Sequence, residues 1–189
     1  MLACLRGIAV RGPLLGRTHA YALARDWLGP PRPVERGRAL AELARRYLAG
    51  HAPADERDLA KWAGLPLRDA RAGLGAIAPE LVRRRDGLLE PTGAGGDDAP
   101  RVCLLDQWDP LLVGWRSREW LLAHYPRLGS PEAHYRPFAY VRGRAVATWS
   151  LRHGVVEIER PFARLTRAEL QALATDAADV ERFLAPQAH

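Results

Sequence analysis

Apolar residues recur at every third or fourth position between residues 36 and 79, a spacing that predicts amphipathic helices. The first predicted helix carries its apolar residues at Leu40, Leu43, Tyr47 and Leu48. The second has acidic residues in its first turn and ends at Gly64. The third opens near Pro66, where the missing N–H costs nothing, and stops at Pro79.

Residues 81–90, with the sequence LVRRRDGLLE, predict a β-hairpin. Two short apolar runs flank a turn at Arg85-Asp86-Gly87, and Asp-Gly is a favoured pair in hairpin turns. Three helices followed by a hairpin is the order of a winged helix-turn-helix, in which the third helix enters the major groove of DNA and the hairpin is the wing. Winged helices also serve as protein-interaction modules, so that alternative stays open.

A stretch rich in Gly, at residues 93–100, predicts a linker. Beyond it, Val102–Leu105 predicts a strand. Alternating apolar and polar residues between positions 138 and 158 predict three antiparallel strands, with turns at Arg142-Gly143 and His153-Gly154.

The chain ends in a predicted helix that opens with a capping box, formed by Thr166 and Glu169. Its buried stripe is expected to comprise Leu170, Leu173, Ala177, Val180 and Leu184. The predicted fold class is α+β: a winged helix-turn-helix followed by a small α+β domain with an antiparallel meander and a C-terminal helix. The predicted domains are a partial N-terminal segment with a Pro-rich connector (1–33), a winged-helix domain (34–92), a linker (93–100) and a C-terminal α+β domain (101–189).

The composition of the 189-residue chain is that of an ordinary globular protein, with 48% hydrophobic and 26% charged residues. No run approaches the ~20 apolar residues of a membrane span, and Arg6 and Arg11 interrupt the apolar stretch that a signal peptide would need. Cys4 and Cys103 lie far apart and fit reduced thiols better than a disulfide or a metal site. We therefore expect a cytoplasmic protein with no metal, no cofactor and no membrane contact.

The net charge of +6 is concentrated in residues 1–50, where nine Arg face three acidic residues. A localised basic excess is the electrostatic footprint of a phosphate binder, and it indicates double-stranded DNA as the partner. Lys61 is the only lysine, however, so this chain uses Arg where other proteins would use Lys. The Arg-rich composition by itself therefore predicts a plain solvated surface equally well.

Five arginines of the predicted winged helix are candidates for DNA contact. They are Arg68 and Arg71 on the third helix and Arg83, Arg84 and Arg85 on the wing. Such side chains contact phosphates or the edges of bases. Asp69, next to Arg68, weakens the third helix as an anion binder.

The stretch LLDQWDPLLVGWR, residues 104–116, contains a polar–aromatic–acid triplet that invites a catalytic interpretation. Gln107 and Asp109 are the candidate catalytic residues of this triplet. The structural alternative, which we favour, is that Trp108 and Trp115 are buried and Asp109 caps a turn or the start of a helix.

Other chemistry is sparse. The six His show no metal-ligand spacing. His124 and His134 could form an acid–base group with Asp106 or Asp109, but nothing in the sequence brings them together.

Several stretches together resemble one family of bacterial winged-helix DNA-binding proteins, which includes the DNA glycosylases that unhook interstrand crosslinks and remove bulky alkylated bases. The stretches are the predicted winged helix, LLDQWDPLLVGWRSREWL, VRGRAVATWS and the capped last helix. Asp109-Pro110 match the family's Asp-Pro, and Gly143-Arg144 with Trp149 resemble its Gly-Arg strand turn. Arg116 and Arg118 fall near its basic pair, which adds them to the candidate DNA-binding residues.

The catalytic signature of those glycosylases is Gln, an apolar residue and then Gln or Asp, and it lies in an N-terminal winged helix. This chain resembles the C-terminal two-thirds of such proteins, so the resemblance implies that an N-terminal winged-helix region is missing. Gln107-Trp108-Asp109 spells the signature but occupies the position of the family's Phe-Asp-Pro segment. The triplet is therefore a weak candidate for an active site.

Three functions follow from these patterns. The favoured one is a winged-helix protein related to DNA repair that contacts duplex DNA mainly through phosphates. The second is a truncated or degenerate DNA glycosylase acting on alkylated or crosslinked bases. The third is a protein-interaction winged-helix module. Catalysis by this chain is the less favoured expectation, because no credible carboxylate or amide pair stands out.

Overall fold

The computed structural model describes residues 2–16, 18–31, 33–95, 102–122, 136–159 and 161–185. The chain divides into two compact units, Met1–Ala39 and Leu40–His189. Within the described residues, no helix has both the length and the apolar character needed to cross a membrane.

The first unit is built around a β-hairpin. Helix α1 (Leu2–Leu5) precedes the antiparallel strands β1 (Ala9–Leu15) and β2 (Thr18–Leu23), and helix α2 (Ala24–Leu28) follows them. None of the described residues of this unit is fully buried. The unit therefore has no closed hydrophobic core of its own among these residues.

The three helices that the apolar spacing predicts are present. They are α3 (Arg36–His51), α4 (Glu56–Ala63) and α5 (Leu67–Ala76). The Asp55 carboxylate caps α4 by accepting hydrogen bonds from the backbone N–H groups of Arg57 and Asp58. Gly64 ends α4 in the left-handed conformation with φ of 65°, which glycine adopts without steric cost.

A short hairpin follows the helices. A 3₁₀ turn at Ala78–Glu80 leads into β3 (Leu81–Arg83), which pairs antiparallel with β4 (Leu89–Pro91). Gly87 has φ of 86°. The chain therefore reverses at Arg85-Asp86-Gly87, where the sequence predicts the turn.

One hydrophobic core joins the three helices to the hairpin. Its fully buried members are Ala44, Tyr47, Leu48, Ala54, Leu59, Ala70, Leu74, Ile77 and Leu89. Ala54 and Leu89 exchange two backbone hydrogen bonds of 2.9 and 3.0 Å, which fasten the hairpin to the loop between α3 and α4. Helices α3 and α5 approach closely at Gly73, where an added Cβ would lie 2.6 Å from the carbonyl oxygen of Leu40.

A four-stranded antiparallel sheet follows in the same unit. Its strands are ordered β5 (Val102–Leu105), β6 (Phe138–Val141), β7 (Arg144–Arg152) and β8 (Val155–Ile158). The two predicted turns are confirmed, and both central residues of each turn have positive φ: Arg142 (47°), Gly143 (89°), His153 (51°) and Gly154 (82°). Two-residue turns of this kind match the right-handed twist of the strands that they connect.

Helices cover both faces of this sheet. Side chains alternate along β6, so Phe138 and Ala139 point to opposite faces. On the Ala139 face, α8 (Arg167–Leu184) packs through Leu173 and Ala177. On the Phe138 face lie two short helices, α6 (Pro110–Val113) and α7 (Glu119–Leu122), with one buried leucine each.

The last helix confirms its predicted start and corrects its predicted apolar stripe. Thr166 and Glu169 form the expected capping box. Leu170 and Leu184 are 49% and 52% exposed, so the prediction that both are buried is wrong. The 18 residues of α8 span roughly 27 Å, and its first and last turns extend beyond the apolar cluster around Leu173.

Gly73→Ala is expected to destabilise the protein, although alanine favours helices more than glycine by about 1 kcal/mol. The new Cβ would meet the Leu40 carbonyl oxygen at 2.6 Å, which forces α3 and α5 apart. Gly75→Ala in the same helix is the matched control, because its Cβ would meet nothing within 4 Å. Denaturant unfolding gives both free energies; equal stability of the two variants would contradict the close contact at Gly73.

Candidate nucleic-acid interface

Two candidate DNA-binding residues lie on the exposed side of α5. The side chain of Arg68 is 85% exposed, and its Nε lies 3.8 Å from the carboxylate of Asp69. Arg71, one turn later, pairs with Glu56 of α4 at 3.4 Å. Both guanidinium groups are accessible, but each has an acidic neighbour. The face of α5 is therefore less basic than its arginines alone would make it.

The hairpin carries three consecutive exposed arginines. Arg83 donates a hydrogen bond from Nη1 to the carbonyl oxygen of Gly87 (2.8 Å), which holds it along the turn. Arg84 pairs with two carboxylates, of which Asp86 is the nearer at 3.3 Å. Arg85, in the turn, makes no hydrogen bond or ion pair with any residue in the described part of the chain.

A groove of about 400 Å³ separates α5 from the hairpin. Its lining includes Arg71 of the helix and Arg83 of the hairpin, together with the carboxylate-bearing Glu56 and the buried Leu74 and Leu89. The structure therefore brings one helix candidate, Arg71, and one hairpin candidate, Arg83, to the same groove.

Arg116 and Arg118 are not part of the lining of this groove. Arg116 has an exposed side chain, and its backbone N–H donates to Asp58 of α4 (2.9 Å). Arg118 is partly buried, and its Nε donates to the carbonyl oxygen of Leu112 at the end of α6. The first remains available to a ligand, whereas the second braces the segment between α6 and α7.

The triplet Gln107-Trp108-Asp109 leads into α6. Asp109 caps that helix, since its Oδ1 accepts a hydrogen bond from the N–H of Leu111 (2.9 Å), as the structural interpretation predicts. Gln107 is partly buried. Trp108 is 60% exposed, so the prediction that it is buried is wrong. The reason is the turn in which the Asp109 N–H donates to the Asp106 carbonyl oxygen (3.1 Å), which leaves Trp108 at an outer corner.

The end of the same stretch docks onto the helices. The contacts are Tyr47 Oη donating to Gly114 O (2.8 Å), Trp115 Nε1 donating to Pro53 O (3.0 Å) and Arg116 N donating to Asp58 Oδ1 (2.9 Å). Trp115 is partly buried against the helical core, whereas the sequence analysis predicts that it is buried. Gly114 is needed here, because an added Cβ would lie 2.2 Å from Cδ2 of His51. Residues on both sides of the predicted linker, 93–100, therefore pack together, and the domain boundaries beside it stay a prediction.

Asp58 lies at the centre of this contact and is only 8% exposed. Its Oδ2 accepts the N–H of Asp55 (3.0 Å), which completes the capping box, while its Oδ1 accepts the N–H of Arg116. Burial raises the pKa of the Tyr47 hydroxyl above its ordinary value, and the charges of Asp58 and Asp55 raise it further. Tyr47 therefore stays protonated and keeps donating to Gly114 at neutral pH.

The sequence analysis missed Asp58 as a tertiary contact. The spacing of Asp55 and Asp58 signals the capping box, and that signal is local. The bond to Arg116 joins residues 58 positions apart and has no counterpart in any local pattern.

No other catalytic or metal-binding group emerges from the described residues. His124 and His134 lie outside them, so the predicted acid–base group with Asp106 or Asp109 also falls outside the described residues. No cluster of three or more His, Cys, Asp or Glu within the described ranges could hold a metal ion. Burial raises the pKa of the Cys103 thiol to about 11, which leaves it a poor nucleophile at neutral pH.

The elements and the arginine-bearing surface define a class: a mixed α/β protein with antiparallel sheets, a C-terminal helix and a basic hairpin beside a helix. A model of the family described as DNA glycosylase AlkZ-like matches residues 1–183. The chain belongs to the AlkZ-like DNA glycosylase family.

The solved structure of the Streptomyces sahachiroi DNA glycosylase AlkZ has a similar fold, with a TM-score of 0.77 and 22% sequence identity. The similarity covers 94% of this chain and 52% of that one, so this chain spans about half the length of the solved relative. No curated protein matches the chain. The likeness confirms the mixed α/β fold with antiparallel sheets and a C-terminal helix, and the family relates the protein to DNA repair.

Asp58→Ala should lower the free energy of unfolding by about 2 kcal/mol or more, because two backbone N–H groups lose a charged acceptor. Asp58→Asn keeps an acceptor oxygen and should cost less. Glu56→Ala removes a less buried carboxylate from the same helix and serves as the control. If denaturant unfolding gives the Asp58→Ala and Glu56→Ala variants the same stability, the docking contact contributes nothing.

Proposed function

We propose that this protein acts in DNA repair, as a member of a DNA glycosylase family that holds duplex DNA around alkylated or crosslinked bases. The observation that carries the proposal is the family match over residues 1–183, nearly the whole chain. The arginines of α5 and of the hairpin supply the positive charge that binding to phosphates requires. A cytoplasmic location, where a bacterial chromosome lies, follows from that role.

We infer that residues 34–92 form a winged helix. Two features support this: the order of α3, α4, α5 and the hairpin, and the bridge between Ala54 and Leu89 that adds a third short strand to the hairpin. On duplex DNA, α5 then lies in the major groove and the hairpin lies against the backbone. Arg68 and Arg71 reach bases or phosphates from the helix, and the hairpin arginines reach phosphates.

The acidic partners of these arginines do not prevent contact with DNA. The pairs of Arg71 with Glu56 and of Arg84 with Asp86 are 3.4 and 3.3 Å long and accessible to solvent. Pairs of this kind contribute about 0–1 kcal/mol. Exchange of such a carboxylate for a DNA phosphate also releases counterions from the DNA, which favours the exchange. Arg85 makes no ion pair with the described residues, so binding to a phosphate would break no such contact.

A protein-interaction module is the second candidate function, and one observation favours it. Glu56 and Asp69 partly neutralise the face around Arg71 and Arg68. A winged helix that binds a protein through this face would bind duplex DNA weakly, and its affinity for DNA would not depend on the charge of the hairpin.

Removal of a base requires extrusion of the damaged nucleotide and stabilisation of the sugar cation that develops. Gln107 and Asp109 are the candidates from the sequence. The Asp109 carboxylate caps α6, so one of its oxygens is already engaged. We propose that the chain contributes the hold on DNA, and that this triplet does not break the glycosidic bond.

Replacing the three hairpin arginines, residues 83–85, with alanine should weaken duplex binding to a similar degree on unrelated sequences. The reason is that phosphate contacts carry no sequence information. The matched control removes the same charge from exposed arginines around α8: Arg164, Arg167 and Arg182. Fluorescence anisotropy with several labelled duplexes measures the affinities.

The duplex experiment has two outcomes that would contradict phosphate binding by the hairpin. One is a hairpin variant that binds as tightly as the wild-type protein. The other is an equal loss in the α8 control, which would show that net charge alone sets the affinity. Absence of duplex binding by the wild-type protein would favour the interaction module.

Gln107→Ala should leave the release of bases from an alkylated duplex at the wild-type level. Asp109→Asn should do the same, because asparagine also caps helices and preserves α6. Abasic sites are measured by alkaline cleavage of an end-labelled duplex. If the wild-type protein releases bases and both variants fail to do so, the triplet is catalytic.

A further inference from the structure

Five aromatic side chains form a cluster, here called the aromatic cluster, beside α4. Its members are Tyr47, His51, Trp62, Trp115 and Trp120, and neighbouring ring centroids lie 4.9 to 5.6 Å apart. The rings come from two helices of the winged-helix region and from the segment that docks onto them. They therefore form one continuous cluster that no single stretch of sequence encodes.

Hydrogen bonds and stacking fix the inner rings. Tyr47 and His51 are stacked with an interplanar angle of 8°. The Tyr47 hydroxyl donates to Gly114 O, Trp115 Nε1 donates to Pro53 O, and His51 Nδ1 lies 3.1 Å from Tyr47 O. Trp62 packs on Tyr47 and His51, and Trp120 packs on Trp115. These contacts restrict the two outer rings before a ligand binds, which lowers the entropy cost of binding.

Two outer rings of the cluster, Trp62 and Trp120, are accessible to solvent. They are 41% and 43% exposed. Core packing explains the inner rings, whereas Trp62 and Trp120 keep part of each indole accessible to a ligand.

Two exposed basic residues are near the outer rings along the chain. Arg116 has an exposed side chain, and its backbone N–H donates to Asp58, one helical turn before Trp62. Lys61, which precedes Trp62 in α4, is exposed as well. Glu119, an exposed acid, precedes Trp120. Together, the exposed side chains of Arg116, Lys61 and Glu119 carry a net positive charge. The combination of accessible rings and positive charge fits a ligand with aromatic faces and phosphates.

We propose that the aromatic cluster binds unpaired DNA bases, which stack on Trp62 and Trp120 while Arg116 and Lys61 contact the adjoining phosphates. Binding sites for single-stranded DNA combine a basic surface with aromatic side chains, and they tolerate any sequence because every base has a π-face. The proposal rests on the proposed function in DNA binding. The residues of this second site lie outside the lining of the α5–hairpin groove, and the site binds a different form of DNA.

The test is the affinity of the full chain for a fluorescein-labelled oligothymidine, compared with its affinity for a duplex. Trp62→Leu and Trp120→Leu should each weaken single-strand binding by about 5-fold or more and leave duplex binding unchanged. Trp62→Phe and Trp120→Phe keep a stacking face and should retain most of the affinity. Trp27→Leu, at a tryptophan that is 56% exposed in the first unit, is the control and should change nothing.

Unchanged single-strand affinity in both leucine variants would overturn the proposal, and so would an equal loss of duplex affinity. The hairpin variant at residues 83–85 separates the two hypotheses. Duplex binding lost in that variant, with single-strand binding retained, supports two distinct surfaces. Failure of the wild-type protein to bind duplex, with single-strand binding that depends on Trp62 and Trp120, overturns the proposed function and supports this inference.

Photocrosslinking gives an answer even where a leucine variant fails to fold. An oligonucleotide that carries 5-iodouracil is irradiated with the wild-type protein, and mass spectrometry locates the adduct. An adduct on Trp62 or Trp120 supports the proposal. Adducts confined to other residues, or the absence of any adduct, would overturn it.

Discussion

The docking of residues 114–116 onto the helices is the contact on which the rest of the second unit depends. A single buried carboxylate, Asp58, caps α4 through the N–H of Asp55 and also anchors the backbone of Arg116. A buried carboxylate without partners costs several kcal/mol, so helix and docked segment stabilise each other. Gly114 makes the fit possible, because any side chain there would meet the ring of His51.

The loop between α3 and α4 transmits this contact to the proposed DNA-binding surface. Pro53 accepts the indole N–H of Trp115, and the next residue, Ala54, exchanges two backbone hydrogen bonds with Leu89 of the hairpin. Three consecutive residues, 53–55, thus join the docked segment, the hairpin and the start of α4. The basic hairpin and the aromatic cluster are positioned by the same loop, although they use different side chains.

Local signals in the sequence predict the local structure well. Glycine and Asp-Gly or Arg-Gly pairs locate the turns, and the capping residues Thr166 and Asp109 locate helix starts, because these effects act within a few residues. The same patterns do not reveal which side chains a distant segment covers. Trp108 was expected inside and lies outside, since the turn before α6 decides its direction.

In the candidate site, too, local patterns predict which residues are present but not which distant residues they contact. The arginines of α5 and of the hairpin follow from the winged-helix pattern, but the partnership of Arg71 with Glu56 depends on how α4 and α5 pack. Arg118 falls near the basic pair of the family that the sequence resembles, yet it bonds to the Leu112 carbonyl oxygen and serves the fold. The aromatic cluster combines residues separated by up to 73 positions, Tyr47 to Trp120, so no local period encodes it.

The central claim, that the protein holds duplex DNA through its phosphates, is tested most directly by the affinity of the wild-type protein for duplex as a function of salt concentration. The logarithm of the association constant should fall linearly with the logarithm of the salt concentration, by about 0.9 for each phosphate neutralised. A duplex affinity that stays the same from low to high salt would contradict the claim.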